Sequence, residues 1–170
     1  MKYLLFLLPL LAGCRKTDAG FDMTYRRTFT IPVGLSTFET HVFLFKDIPV
    51  DTAVFFKINN IDSANKVGQI VPRSMNIRLV FSGDGILNFI RRVDVVVLDT
   101  KLATEVTAFY NDDVQLTSGG QITLVPFNSD VRKLFLSGDG RYALRIRLNL
   151  REIPARSFDV EWNATFLAKT

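Results

Sequence analysis

Along most of the chain, hydrophobic and polar residues alternate with a period of two, the spacing of half-buried strands. Tyr25, Arg27, Phe29 and Ile31 share one face of the first run, which Pro32-Val33-Gly34 ends. The next run, Ser36 to Lys46, becomes apolar on both faces toward its end and reads as a central strand of a sandwich. Met75, Ile77, Leu79 and Phe81 alternate with Asn76, Arg78 and Val80, and Val93, Val95 and Val97 alternate around Asp94. Val106, Ala108 and Tyr110 fall on one face of a further run. Gln121 to Phe127 forms another, where Pro126 points to an edge.

The last two runs are the most regular. Tyr142, Leu144, Ile146, Leu148 and Leu150 alternate with Arg145, Arg147, Asn149 and Arg151; Phe158, Val160, Trp162, Ala164 and Phe166 alternate with Asp159, Glu161, Asn163 and Thr165. Paired as an antiparallel hairpin about Ile153-Pro154, they set the arginines against Asp159 and Glu161 and neutralise the basic stripe. Trp162 then points inward with Val160 and Ala164.

Two segments depart from the period. Asp51 is placed to cap a helix carrying Val54, Phe55, Ile58 and Ile61. Asn128 or Ser129 opens a shorter one with Val131, Leu134 and Phe135 inward, which Gly138 ends. The pattern predicts an all-β protein: an antiparallel β-sandwich, Ig-like or jelly-roll-like, of about seven to nine strands with one or two short capping helices. A transmembrane barrel fits less well, because several runs are shorter than the roughly ten residues such strands need.

The N-terminus is of a different kind. Met1-Lys2 is a short basic start, and Tyr3 to Ala12 is an apolar run interrupted by Pro9. At helical rise it covers about half of a bilayer core, so it reads as a secretory signal. Its end, Leu11-Ala12-Gly13-Cys14, resembles a bacterial lipobox. That resemblance implies cleavage before Cys14 and lipid attachment to its thiol, the strongest nucleophile at that position. The expected division is a signal peptide at 1–13, a lipidated tether at 14–22 and one sandwich domain at 23–170. Cleavage removes thirteen residues, Lys2 among them, and leaves 157 of 170 with 20 basic against 17 acidic side chains. That surplus is too small to indicate nucleic acid. Arg15-Lys16-Thr17-Asp18 has no Asp directly after Cys14 and no acidic cluster. The expected address is therefore the outer membrane on its periplasmic side, with the cell surface second.

Chemistry is harder to find. One Cys and one His leave no disulfide scaffold and no Cys/His metal site, and no cofactor is implied. There is no Gly-x-Ser-x-Gly turn. His41 lies within a patterned run and reads as a packed or edge side chain. Ser-Gly-Asp-Gly occurs at 82–85 and 137–140 without a phosphate-loop continuation, so both copies read as turns, as does Asn111-Asp112-Asp113. Asp51-Thr52-Ala53 and Asp62-Ser63-Ala64 resemble O-glycosylation acceptors of Bacteroidota envelope proteins.

The mature chain as a whole is similar in layout to small Bacteroidota lipoproteins. The similarity lies in Phe29 to Pro32, Phe43-Leu44-Phe45, Ile48-Pro49, Val71-Pro72-Arg73-Ser74 and the stretch from Arg145 to Phe166. It carries no activity over. The expectation is a non-catalytic, membrane-anchored envelope protein that binds or scaffolds an envelope protein or glycan. A carbohydrate-binding lipoprotein of a glycan uptake system is the alternative, with Phe109, Tyr110 and Tyr142 as candidate aromatics, and an envelope hydrolase is the third reading.

Overall fold

The computed structural model describes residues 20–50, 67–81, 85–116, 119–136 and 140–169. These form eight strands: β1 (Gly20–Ile31), β2 (Thr40–Pro49), β3 (Gln69–Leu79), β4 (Ile90–Leu98), β5 (Glu105–Asn111), β6 (Gln121–Pro126), β7 (Arg141–Leu150) and β8 (Phe158–Lys169). One helical turn, α1 (Arg132–Phe135), lies between β6 and β7.

The strand order is β1-β8-β3-β6-β5-β4-β7-β2, and the paired strands run antiparallel. It divides into two four-stranded sheets, β1-β8-β3-β6 and β5-β4-β7-β2. Among the described residues the strand pairing that joins them is short: Phe109 pairs with Pro126 and Tyr110 with Val125. On the far side the two outermost strands meet through side chains, with Phe29 of β1 4.7 Å from Phe43 and 5.5 Å from Phe45 of β2, ring centre to ring centre. Every connection except β4 to β5 carries the chain from one sheet to the other. An Ig-type sandwich would keep its first two strands in one sheet, so the all-β sandwich is of the jelly-roll kind.

One apolar core fills the space between the sheets. Trp162, Tyr142, Phe109, Phe135 and Phe166 are its largest fully buried members. Edge-to-face and stacked rings hold its centre: Phe135 lies 4.2 Å from Tyr142 and 4.9 Å from Phe166, and Phe109 5.4 Å from Phe166. A transmembrane barrel would turn an apolar band outward, whereas the outer faces here carry the ion pairs Arg78–Glu161, Arg145–Glu105 and Arg147–Glu105. Asp130 ties α1 to the sheet, since one carboxylate oxygen accepts the Ile70 N–H (3.1 Å) and the Arg132 N–H (2.9 Å). The expected inward residues Val131, Leu134 and Phe135 are buried. The helix expected after Asp51, and Gly138, lie outside the described residues.

Five expectations are corrected. β7 and β8 are not a hairpin: β7 lies between β2 and β4, and β8 between β1 and β3. Both strands have a fully apolar face, and in opposite sheets those faces cover each other, as Tyr142 and Phe166 do. The connection at 151–157 is long enough to cross the roughly 10 Å between sheets. β2 is an outermost strand, with Val42 and Leu44 exposed on its outer side. β6 is not an edge, because Gln121 to Leu124 pair with β3 and Val125 and Pro126 with β5. Phe81 lies beyond the end of β3 and is exposed. At the start of the domain, β1 also takes in Gly20, Phe21 and Asp22, residues expected in the tether, and Asp22 pairs with Arg73 at 2.5 Å.

Candidate functional site

The two ends of the sandwich differ. At one end Gly20 of β1 pairs with Lys169 of β8, Gly68 donates to the Lys169 carbonyl at 2.8 Å and Val50 to that of Gly140 at 2.8 Å. The chain enters the domain here. At the other end the loops joining β1 to β2, β3 to β4, β5 to β6 and β7 to β8 bond to one another. Gly34 donates to the Pro154 carbonyl (3.1 Å), Leu87 to Gly119 (2.8 Å) and Arg151 to Phe89 (2.8 Å). These loops expose Val33, Phe38, Val80, Phe81, Ile86, Leu116 and Ile153, with Phe38 98% and Phe81 78% accessible. Arg156 lies over the ring of Phe158 at 5.3 Å, and Phe158 stacks on Phe89 at 4.8 Å, beside a cavity of about 260 Å³.

The outer face of the second sheet holds the charged residues singled out in the sequence. Arg145 and Arg147 reach Glu105 of β5, at 2.7 and 3.0 Å, rather than Asp159 and Glu161. Arg151 reaches Asp113 at 3.5 Å and the Val114 carbonyl. Asp159 accepts the Thr30 hydroxyl at 2.6 Å and Glu161 pairs with Arg78 at 2.7 Å, both on the opposite sheet. The basic stripe is neutralised, by partners that its expected hairpin would have kept apart.

Beside these pairs, β5 changes its parity. Val96 is opposite Thr107 but Val95 is opposite Phe109, so Ala108 is the extra residue of a bulge. Ala108 and Phe109 both turn inward and are fully buried, and Tyr110 is sent to the outer face. This overturns the expected shared face of Val106, Ala108 and Tyr110. Re-aiming a side chain is what such bulges do beside functional sites. The segment after β6 is fastened to the same bulge: the Phe127 N–H donates to the Ala108 carbonyl at 2.7 Å, and the Ser129 hydroxyl to that of Thr107 at 2.7 Å. Phe127 is thereby held half-exposed, its ring 6.3 Å from that of Tyr110 and inclined at 72°.

These two rings form one corner of an open depression of about 390 Å³, completed by Thr107, Arg92, Asp94 and Asp112. Arg92 sits between the carboxylates, 2.9 Å from Asp94 and 3.3 Å from Asp112. The hydrogen bond to Asp94, seconded by its charge, pushes the Arg92 guanidinium above its already high ordinary pKa. Of the expected aromatics, Tyr110 is therefore at the surface, whereas Phe109 and Tyr142 are in the core, as Trp162 is. Phe127 and Arg92 were missed. The cue for Phe127 was Pro126 before it, which ends the strand and leaves the next side chain off the sheet.

His41, on β2, is half-buried with its ring Nε2 2.7 Å from the Ser36 carbonyl oxygen. Asn111 makes the expected turn, its side-chain oxygen accepting the Asp113 N–H at 3.2 Å. Among the described residues no group of three or more His, Cys, Asp or Glu is placed to hold a metal ion. Cys14, both glycosylation-like triplets and most of both Ser-Gly-Asp-Gly copies lie outside the described residues.

No family model and no curated protein matches the chain. Among solved structures it is similar to a nora virus structure, at 14% identity and a TM-score of 0.35, over 89% of this chain and 59% of that one. A second is the empty head of turnip yellow mosaic virus, 11% identical with a TM-score of 0.19, covering 100% of this chain and 89% of that one. At these scores neither likeness carries weight, and the fold assignment rests on strand order.

Proposed function

We propose that the chain is a lipid-anchored, non-catalytic lipoprotein of the bacterial outer membrane, facing the periplasm, and that its loop end engages an envelope protein. The observation behind this reading is the opposition of the two ends. The terminus that carries Cys14 enters at one end, and seven large apolar side chains stand exposed on the loops at the other. Between Cys14 and Gly20 an extended chain reaches about 20 Å, which keeps the entry end near the bilayer. Exposed apolar side chains on neighbouring loops are the material of association surfaces. The loop end carries charge of both signs, Arg151 and Arg156 beside Glu39, Asp113 and Glu152. That favours an apolar protein surface over an anionic bilayer or nucleic acid.

Site-specific photo-crosslinking of the full-length protein in intact cells tests this. A crosslinking side chain at Phe38 or Phe81 is expected to give the same discrete adduct with one envelope protein, and a label at the exposed Thr24 of β1 none. The adduct formed from Phe38 should weaken when Phe81 and Ile153 are changed to Ser. No adduct from either loop position, or equal adducts from Thr24, overturns the proposal.

A further inference from the structure

We propose that the corner between Tyr110 and Phe127, on the outer face of the second sheet, is a binding site for a neutral oligosaccharide. The inference rests on the side of the sandwich and is independent of the anchor and of the loop end. Four observations converge on it.

The first is the bulge. A regular β5 would bury Tyr110 and expose Phe109; the extra residue Ala108 reverses this and puts the amphipathic ring outside. The second is the fastening of Phe127. Its N–H and the Ser129 hydroxyl bond to carbonyls of the bulge and its neighbour, so the second ring is fixed beside the first and leaves half its surface uncovered. Held rings bind with little loss of side-chain entropy. The electron-rich faces of such rings attract the polarised C–H groups that line one side of a pyranose. With the ring planes at 72°, one ring floors the sugar and the other walls it.

The third is the polar lining. Sugar hydroxyls donate and accept, and the depression offers both kinds of partner: the Asp94 and Asp112 carboxylates, the Thr107 hydroxyl and the Arg92 guanidinium. The ion pairs engage Nε and one Nη of Arg92, so donors remain for an incoming hydroxyl. They also hold the carboxylates in place before a ligand arrives.

The fourth is charge. One arginine against two carboxylates disfavours an anionic glycan, while Arg145 and Arg147 are already paired with Glu105. At about 390 Å³ and open along one side, the depression fits one or two residues of a longer chain better than an enclosed small molecule.

The test is an array of neutral oligosaccharides (glucans, mannans, xylans and galactans) with anionic glycans alongside, probed with the full-length lipoprotein in detergent. Retention on at least one neutral series is expected. Tyr110→Ala and Phe127→Ala should each weaken it about tenfold, the effect of losing one aromatic anchor. Tyr110→Phe should keep it, and Thr107→Trp, which fills the depression from β5, should abolish it. Phe38→Ala at the loop end should leave it unchanged, so that failure of the loop-end proposal is read separately. Unchanged urea midpoints in the variants exclude unfolding as the cause. Retention on no neutral glycan, on anionic glycans alone, or equally by Tyr110→Ala and wild type overturns the proposal.

Discussion

Tyr142 is fully buried between Phe135 and Tyr25, and its hydroxyl has no hydrogen-bond partner among the described residues. The cost of burying that hydroxyl falls even more heavily on its ionised form, so desolvation raises its pKa well above the ordinary 10.0. In the unfolded chain the phenol ionises at its ordinary value. Above that pH the folded state therefore holds the additional proton, and stability falls as pH rises. Tyr142→Phe is expected to be neutral or stabilising by about 1 kcal/mol at pH 7, since it removes an unsatisfied polar group and keeps the ring. It should also flatten the loss of stability between about pH 9 and 11, as urea denaturation of both proteins at each pH would show. A variant that lost 2 kcal/mol or more at neutral pH, to order of magnitude, would instead reveal a hydroxyl with a partner. That Tyr142 points inward was legible from its alternation with Arg145 and Arg147. That its hydroxyl would stay unpaired was not, because the ring's neighbours come from β1 and α1, far away in the chain.

At the scale of elements, β2 is the instructive case. Its run Val42-Phe43-Leu44-Phe45 is apolar on both sides, which for a strand buried on both faces is the expected signature. Here the two faces have different uses. Phe43 and Phe45 close the side of the sandwich against Phe29, with Phe45 also 5.5 Å from Trp162, whereas Val42 and Leu44 stand opposite Arg147 and Arg145 on the outer face. Leu44→Lys is therefore expected to change stability by less than about 0.5 kcal/mol. Phe45→Ala should cost about 3 kcal/mol, for the lost packing and the gap left behind. Chemical denaturation of the two variants decides it, and a comparable loss for Leu44→Lys would mean that β2 has a neighbour on its outer side. The bulge in β5 carries the same lesson. Val106, Thr107 and Ala108 follow strict alternation, and nothing in Phe109-Tyr110 announces that one residue will be skipped. The skip puts Phe109 against Phe166 on the other sheet, and so the decision belongs to the core.

For the whole molecule, the pairing of β7 with β4 and of β8 with β3 decides which charges meet. Arg145 and Arg147 find Glu105, some forty residues away in sequence, at 2.7 and 3.0 Å. These pairs are partly exposed and add little to stability; their effect is to leave the outer face of the second sheet without a free basic stripe. The same topology puts the chain entry at one end and the apolar loops at the other, so the proposed anchor and the two proposed binding surfaces do not compete for space. Cys14→Ser is expected to abolish incorporation of labelled palmitate into the cellular protein while leaving its folded domain intact. Label retained by that variant would remove the lipid anchor from the proposal.

Several things were set by the chain's local pattern alone: the β class, most strand positions, the inward faces of β7 and β8, and the single turn that buries Val131, Leu134 and Phe135. Period and turn chemistry act over a few residues, so these need no knowledge of distant partners. The distribution of strands between the sheets, the outermost place of β2, the reversal of Tyr110 and the shared partner of Arg145 and Arg147 came only with the tertiary structure. Each depends on which apolar face covers which, a choice made between segments up to a hundred residues or more apart, as for Thr30 and Asp159. Alternation tells a strand which side to bury, and only the assembled core tells it against what.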